Sequence, residues 1–383
     1  MKLSTGLGLA GAILLAGCAT PKKYTFAPTG DPLADGRTAI AQGPPQDKVL
    51  WEYRTAAVCM RRAQFAEAKS LLDDALLTLG GINGKDSGAK KARGYFHEES
   101  KKTFIGEPYE RVMAYYYRGI LYWMDGEPDN ARACFRSGQL IDSDTENKQY
   151  AADYVLLDYL DGFATVKLAG DGSDALKRAQ TEARLGPPPA YNPKANTLVF
   201  LEFGRGPGKY AAGEYGEQLR FREGSAATRG AVVQAGSQNV RVGPYDDVSF
   251  QATTRGGRVM DHILGNKAVF KSSTDIAGNA ALLGGVVAAS NRRTQEIGLG
   301  LVAAGVLTKI ISSATTPAAD VRAWDNLPQY LSFAALELPP GEQTVTVQFV
   351  DASGRPLPNG VRQAKIQVVP GHDTVLFFSD QAS

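Results

Sequence analysis

The chain has 383 residues, 43% of them hydrophobic and 21% charged, and a net charge of +2. That length supports two or three folded domains, and the composition is that of an ordinary globular protein. A balance this close to neutral argues against a dedicated nucleic-acid binder, and the scattered His97, His262 and His372 form no metal-ligand spacing with the three cysteines.

Lys2 is the only charge before the apolar run Leu7 to Ala16, which is too short to span a bilayer. A basic start, a short apolar region and small residues describe an export signal over residues 1–17. Leu15-Ala16-Gly17-Cys18 resembles the lipobox of bacterial lipoproteins. The resemblance implies that Cys18 is acylated and becomes the mature N-terminus. It also implies, with Ala19 next, an anchor on the periplasmic face of the outer membrane. An ordinary signal peptide with a chance cysteine is the plain alternative. Residues 18–48 carry Pro21, Pro28, Pro32, Pro44 and Pro45 without apolar periodicity and read as a lipidated tether.

Residues 49–186 read as helical. In the stretch from Glu107 to Asp142, Gly119 and Ala131 supply small residues where two helices cross. Tyr122, Gly126 and Phe135 supply an aromatic, a turn and a second packing residue on one face. This resembles a tetratricopeptide (TPR) unit, a helix–turn–helix repeat of about 34 residues. Val49 to Leu79 repeats it more weakly, with Ala56, Ala68 and Leu72 at the matching places. Ala56 and Gly119 are 63 residues apart, so an insertion near Gly80 to Gly106 separates the units. Its aromatic second half, through Phe104-Ile105-Gly106, is expected to dock, and its Gly- and Lys-rich first half reads as a loop. Tyr150 to Ala169 and Ser173 to Leu185 form a third pair, and residues 187–195 a linker. Cys59 and Cys134 fall at inward positions, as a disulfide or as free buried thiols.

The pattern changes to strands in residues 196–383. Thr197 to Phe203, Ala231 to Val233, Asn239 to Val242, Val248 to Phe250, Thr344 to Val350, Lys365 to Val369 and Thr374 to Phe378 are separated by turn residues. Gly204 to Lys209 misses the phosphate-loop spacing, has Tyr210 where a hydroxyl residue is needed and leads into no helix, so nucleotide binding is rejected. Residues 275–313 form a Gly/Ala-rich stretch in two arms, too short to cross a bilayer singly. They read as a helical hairpin, buried or membrane-contacting. The fold class is therefore α+β: a TPR-like helical solenoid followed by a mostly antiparallel β-domain carrying that hairpin.

Three segments together resemble an uncharacterised family of bacterial TPR-containing membrane lipoproteins. They are Gly106-Glu107-Pro108-Tyr109-Glu110-Arg111, the element Ala319-Asp320-Val321-Arg322-Ala323-Trp324-Asp325-Asn326-Leu327-Pro328, and Leu338-Pro339-Pro340-Gly341. The resemblance implies a lipid-anchored periplasmic protein without established enzymatic activity. Trp324 is expected as a buried indole and Arg322 as pairing with Asp320 or stacking on the ring, with direct contact to a partner as the alternative for both. Tyr109, Glu110, Arg111, Tyr115 and Tyr116 are candidate partner-binding residues, with Tyr115, Tyr116 and Tyr117 on more than one helical face. No catalytic constellation, metal set or cofactor motif stands out. The expected function is a non-enzymatic scaffold or adaptor. It would bind a protein of the cell envelope through the concave face of its helices and hold the membrane through its lipid. The alternative is a membrane-inserting or homo-oligomerising envelope protein acting through the hairpin.

Overall fold

The computed structural model describes residues 27–83, 102–143, 150–214, 216–254 and 319–381. The fold is α+β. The helices are α1 (Pro32–Gln42), α2 (Lys48–Arg61), α3 (Phe65–Asn83), α4 (Pro108–Met124), α5 (Pro128–Asp142), α6 (Val155–Lys167), α7 (Ser173–Glu182) and the short α8 (Val248–Thr253). None of the described helices is long and apolar enough to cross a membrane. Cys18, the hairpin over residues 275–313 and most of the insertion lie outside the described residues.

Helix α1 falls within the stretch read as a tether, which is folded from Thr29 onward. Asp31 caps it by accepting the Leu33 N–H, and Pro32 occupies the first helical position, where no N–H is required. Gly36 lets it lie against α2: a Cβ there would stand 2.2 Å from the Thr55 hydroxyl. The prolines and glycines that suggested a linker are thus a helix start and a helix contact.

Helices α2/α3, α4/α5 and α6/α7 form three successive hairpins. Each turns through one residue in the left-handed region: Ala63 (φ 55°), Gly126 (φ 79°) and Ala169 (φ 61°). The first two hairpins match position by position. Ala56, Ala68, Leu72 and Ala75 are buried, as are Gly119, Ala131, Phe135 and Gly138, 63 residues later. Leu77 and Leu140, also 63 apart, are 75% and 73% exposed.

The strands are β1 (Thr197–Phe203), β2 (Gly208–Ala212), β3 (Gln218–Arg222), β4 (Gly230–Ala235), β5 (Gln238–Val242), β6 (Asp246–Asp247), β7 (Tyr330–Leu336), β8 (Gly341–Val350), β9 (Pro356–Val368) and β10 (Thr374–Ser379). They make a mixed sheet in the order β10-β1-β7-β6, an antiparallel sheet β5-β4-β8-β9, and the β2-β3 ribbon. The β1/β10 pair is parallel. Val248 to Phe250, expected as a strand, is the start of α8: Asp247 accepts the Ser249 and Phe250 N–H groups and turns the chain into a helix.

Strand β1 explains the layering. All seven of its residues are buried. Leu198 and Phe200 join the core shared with the helices, and Val199, Leu201 and Phe203 join the core between the two sheets. The helices, the mixed sheet and the antiparallel sheet therefore stack as three layers. Helices α2, α4 and α6 touch the mixed sheet, with Tyr116 against Phe200, Tyr117 against Phe377, and Tyr159 and Phe163 against Phe333. The face expected to form an open concave groove is covered by the chain's own sheet. Tyr191, in the stretch read as a linker, stacks on Phe163 at 5.6 Å, and Asp373 at the β9–β10 turn takes bonds from Trp123 Nε1 and Lys167 Nζ.

Candidate partner-binding junction

Two of the three segments that carry the sequence resemblance, residues 106–111 and 319–328, meet in space. Residues 319–328 form neither helix nor strand. An irregular buried segment needs side chains to satisfy its backbone groups, and here α2 and α4 supply them. The Glu110 carboxylate, fully buried, accepts the Trp324 N–H at 2.7 Å, the Glu107 N–H at 2.6 Å and the Lys209 ammonium at 2.6 Å. Lys209, as deeply buried as Glu110, also donates to the Arg322 carbonyl at 3.0 Å and lies over the rings of Phe104 and Tyr109. Arg54 donates to the Ala323 carbonyl at 2.7 Å and pairs with Asp325, and Asn326 donates to the Arg54 carbonyl.

A second buried pair lies beneath. Arg61 contacts Glu202 of β1 at 2.6 Å and donates to the Asn326 carbonyl, while the Tyr117 hydroxyl donates to the other Glu202 oxygen. Burial, and then the Glu202 charge, holds the Tyr117 hydroxyl protonated well above its ordinary range. The Trp324 indole is fully buried and stacks on Tyr53 at 4.4 Å. Arg322 pairs with Asp320 and Asp47, each at 2.6 Å, and donates to the Lys102 carbonyl. Burial works against its charge, but the bonds to Asp320 and Asp47 outweigh that cost and raise its pKa. Trp324 and Arg322 thus take the structural roles expected of them, and Phe104 docks as expected.

Of the five residues expected at a partner surface, Tyr109, Glu110 and Tyr116 are buried. Helix α4 lies between its neighbours and the sheet, so the face carrying Tyr109 and Tyr116 turns inward: Tyr109 meets Phe221 and Tyr116 meets Phe200. Arg111 and Tyr115 are half-buried. The junction opens instead into a groove of about 380 Å³ lined by Leu50, Trp51 and Arg54 of α2 and by Val321, Ala323 and Asp325. The Arg54 guanidinium lies 4.9 Å from the Trp51 ring centre, and Val321 is 45% exposed. Sequence reasoning missed Lys209, Trp51 and Arg54. Lys209 stood out only as a failed phosphate loop, and the positions of Trp51 and Arg54 depend on tertiary packing.

Cys59 and Cys134 are free and buried, and burial pushes their thiols up to about 12 and about 11. Among the described residues no group of His, Cys, Asp or Glu is placed to hold a metal ion. Comparison with protein-family models, curated proteins and solved structures finds no match.

Proposed function

We propose that this protein is a non-enzymatic, lipid-anchored scaffold on the periplasmic face of the outer membrane, with TPR-like hairpins braced by its own sheet. The carrying observation is the junction. The most distinctive sequence element is spent on fixing one irregular segment, and that segment presents a groove with an aromatic, an arginine and apolar neighbours. Such a lining suits a protein partner. The covered inner face moves the expected contact from the concave side to this groove. Cys18 would hold the membrane. About ten residues separate Cys18 from Thr29, where the described hydrogen bonding begins, and at full extension they reach about 35 Å.

The test is a photo-crosslinking residue at Trp51 or at Val321 in cells, with a third at exposed Gln363 on β9 as control. One envelope protein captured from both groove positions and not from the control supports the reading. Equal capture at all three positions, or crosslinks only between copies of this chain, refutes it; the second outcome favours the oligomerising alternative.

A further inference from the structure

A second cavity, of about 270 Å³, lies between the β3–β4 connection, α8 and the start of β7. Its wall is a chain of buried polar groups. The Gly224 N–H donates to Ser249 Oγ at 2.8 Å, Ser249 donates to Gln329 Oε1 at 2.9 Å, and Gln329 Nε2 donates to Asp247 Oδ1 at 2.6 Å. Ser249 and Gln329 are 3% and 5% exposed, so this wall is rigid and already satisfied. Backbone bonds between Arg205 and Ser225 in both directions, 2.7 and 2.8 Å, pin the loop that forms the other side.

Three groups facing the cavity keep unused capacity. Asp247 Oδ1 takes the Ser249, Phe250 and Gln329 donors, and Oδ2 has no partner among the described residues. The Arg229 guanidinium lies 5.0 Å from the Tyr330 ring centre and forms no ion pair among the described residues. Glu223 likewise lines the cavity without an ion pair among them. Opposite charges at one cavity, unbridged by each other, suit a ligand that carries both signs.

We infer that this cavity binds a small zwitterion of the α-amino-acid type, its ammonium between Asp247 and Glu223, its carboxylate on Arg229, and its side chain against Phe250 and Tyr330. Burial raises the Asp247 carboxyl above its ordinary range against the bonds from Phe250 and Ser249; Glu223 adds to the rise and the Arg229 charge, acting across the cavity without an ion pair, opposes it. A bound ammonium would offset that cost. A neutral sugar would pair with neither charge, and a simple carboxylate would meet two acidic neighbours.

The experiment is isothermal titration of the full-length protein with the common α-amino acids, beside acetate, ethylamine and glucose as probes. At least one amino acid is expected to bind saturably, with acetate and ethylamine each weaker by about tenfold or more. Asp247 also caps α8, so Asp247→Asn risks the local fold. Arg229→Gln and Glu223→Gln, at exposed positions, carry the test. Each is expected to weaken binding about tenfold while the melting curve stays at wild type. Absence of saturable binding by every amino acid overturns the proposal. So does binding of glucose in their place, or wild-type affinity in Arg229→Gln.

Discussion

Gly119→Ala tests whether the α4/α5 crossing is as tight as the hairpin repeat requires. A Cβ at Gly119 would lie 2.6 Å from Phe135 Cε1 and 2.9 Å from Cζ. Phe135 is fully buried, with Trp123 against it at 6.3 Å between ring centres, so the ring has little room to yield. Two effects oppose each other. Replacing glycine by alanine within a helix gains about 1 kcal/mol from propensity. Forcing a methyl into a packed contact costs about 1–3 kcal/mol. The separation is well below van der Waals contact and the obstacle is a buried ring, so the steric cost wins and a net loss of about 1 kcal/mol is expected. Gly80 is the control: it is exposed near the end of α3, nothing lies within 4 Å of its Cβ position, and Gly80→Ala should stabilise by up to about 1 kcal/mol. Urea denaturation of the two variants gives opposite signs if the reasoning holds. Adding Phe135→Leu to Gly119→Ala should recover part of the loss, because the two side chains share one contact. A Gly119→Ala protein as stabilised as Gly80→Ala would show that the helices do not cross there, and the repeat proposal would go with it.

Lys209→Met should cost about 3–5 kcal/mol in denaturant unfolding, because Glu110 is left charged and buried with only two N–H donors; a loss below about 1 kcal/mol would mean that those donors suffice. Ala63→Gly and Ala169→Gly should each stabilise by about 1 kcal/mol, since both alanines hold a left-handed backbone where Gly126 holds it freely; unchanged urea midpoints would contradict this. Cys18→Ser should release the protein into the soluble fraction of detergent-free extracts; unchanged membrane association would contradict the lipid anchor. Asp246 gives a pH signature. Its carboxylate accepts the Val155 and Leu156 N–H groups at the start of α6, yet burial pushes its pKa from the usual 3.8 up to about 7. The folded state then binds this proton more tightly than the unfolded state, so this group's contribution is full below about pH 4 and is lost as pH rises to 7. The loss has an upper size of about 4 kcal/mol. Asp246→Asn should flatten the fall in stability between pH 5 and pH 7; parallel profiles for the two proteins would mean that the two N–H bonds outweigh burial.

The parts of the fold visible in the sequence are those set by periodicity. The crossing residues Gly119 and Ala131, their weaker counterparts Ala56 and Ala68, and the run Leu198 to Leu201 all announce themselves by spacing. Two errors share one cause. Pro32 and Gly36 have the composition of a linker, and Val248 to Phe250 the composition of a strand. Each is decided by a single acidic cap, Asp31 or Asp247, which a pattern of apolar residues does not register. The covered inner face was also beyond sequence reasoning. Tyr116 and Tyr117 read equally well as a recognition surface or as core, and only the docking of β1 and β10 against them makes them core.

The junction shows why a motif can be legible while its purpose is not. Residues 319–328 have neither helical nor strand bonding to satisfy their backbone; the Ala319 N–H and the Leu327 carbonyl find backbone partners in Gly216 and Gly206, and four other groups depend on side chains from elsewhere. The Trp324 N–H needs Glu110, the Ala323 carbonyl needs Arg54, the Arg322 carbonyl needs Lys209 and the Asn326 carbonyl needs Arg61. These partners lie on α2, α4 and β2, more than a hundred residues away in the chain. That dependence explains residue by residue why an Asp-x-Arg-x-Trp-x-x-Leu-Pro element accompanies Gly-Glu-Pro-Tyr-Glu-Arg: Arg322 ties to Asp320 and Asp47, Trp324 fills the space beside Tyr53, and Glu110 joins both to the lysine. A segment held by side chains from three separate elements has little freedom to move. A partner at the proposed groove would therefore meet a surface already formed, and binding there would incur little cost of ordering.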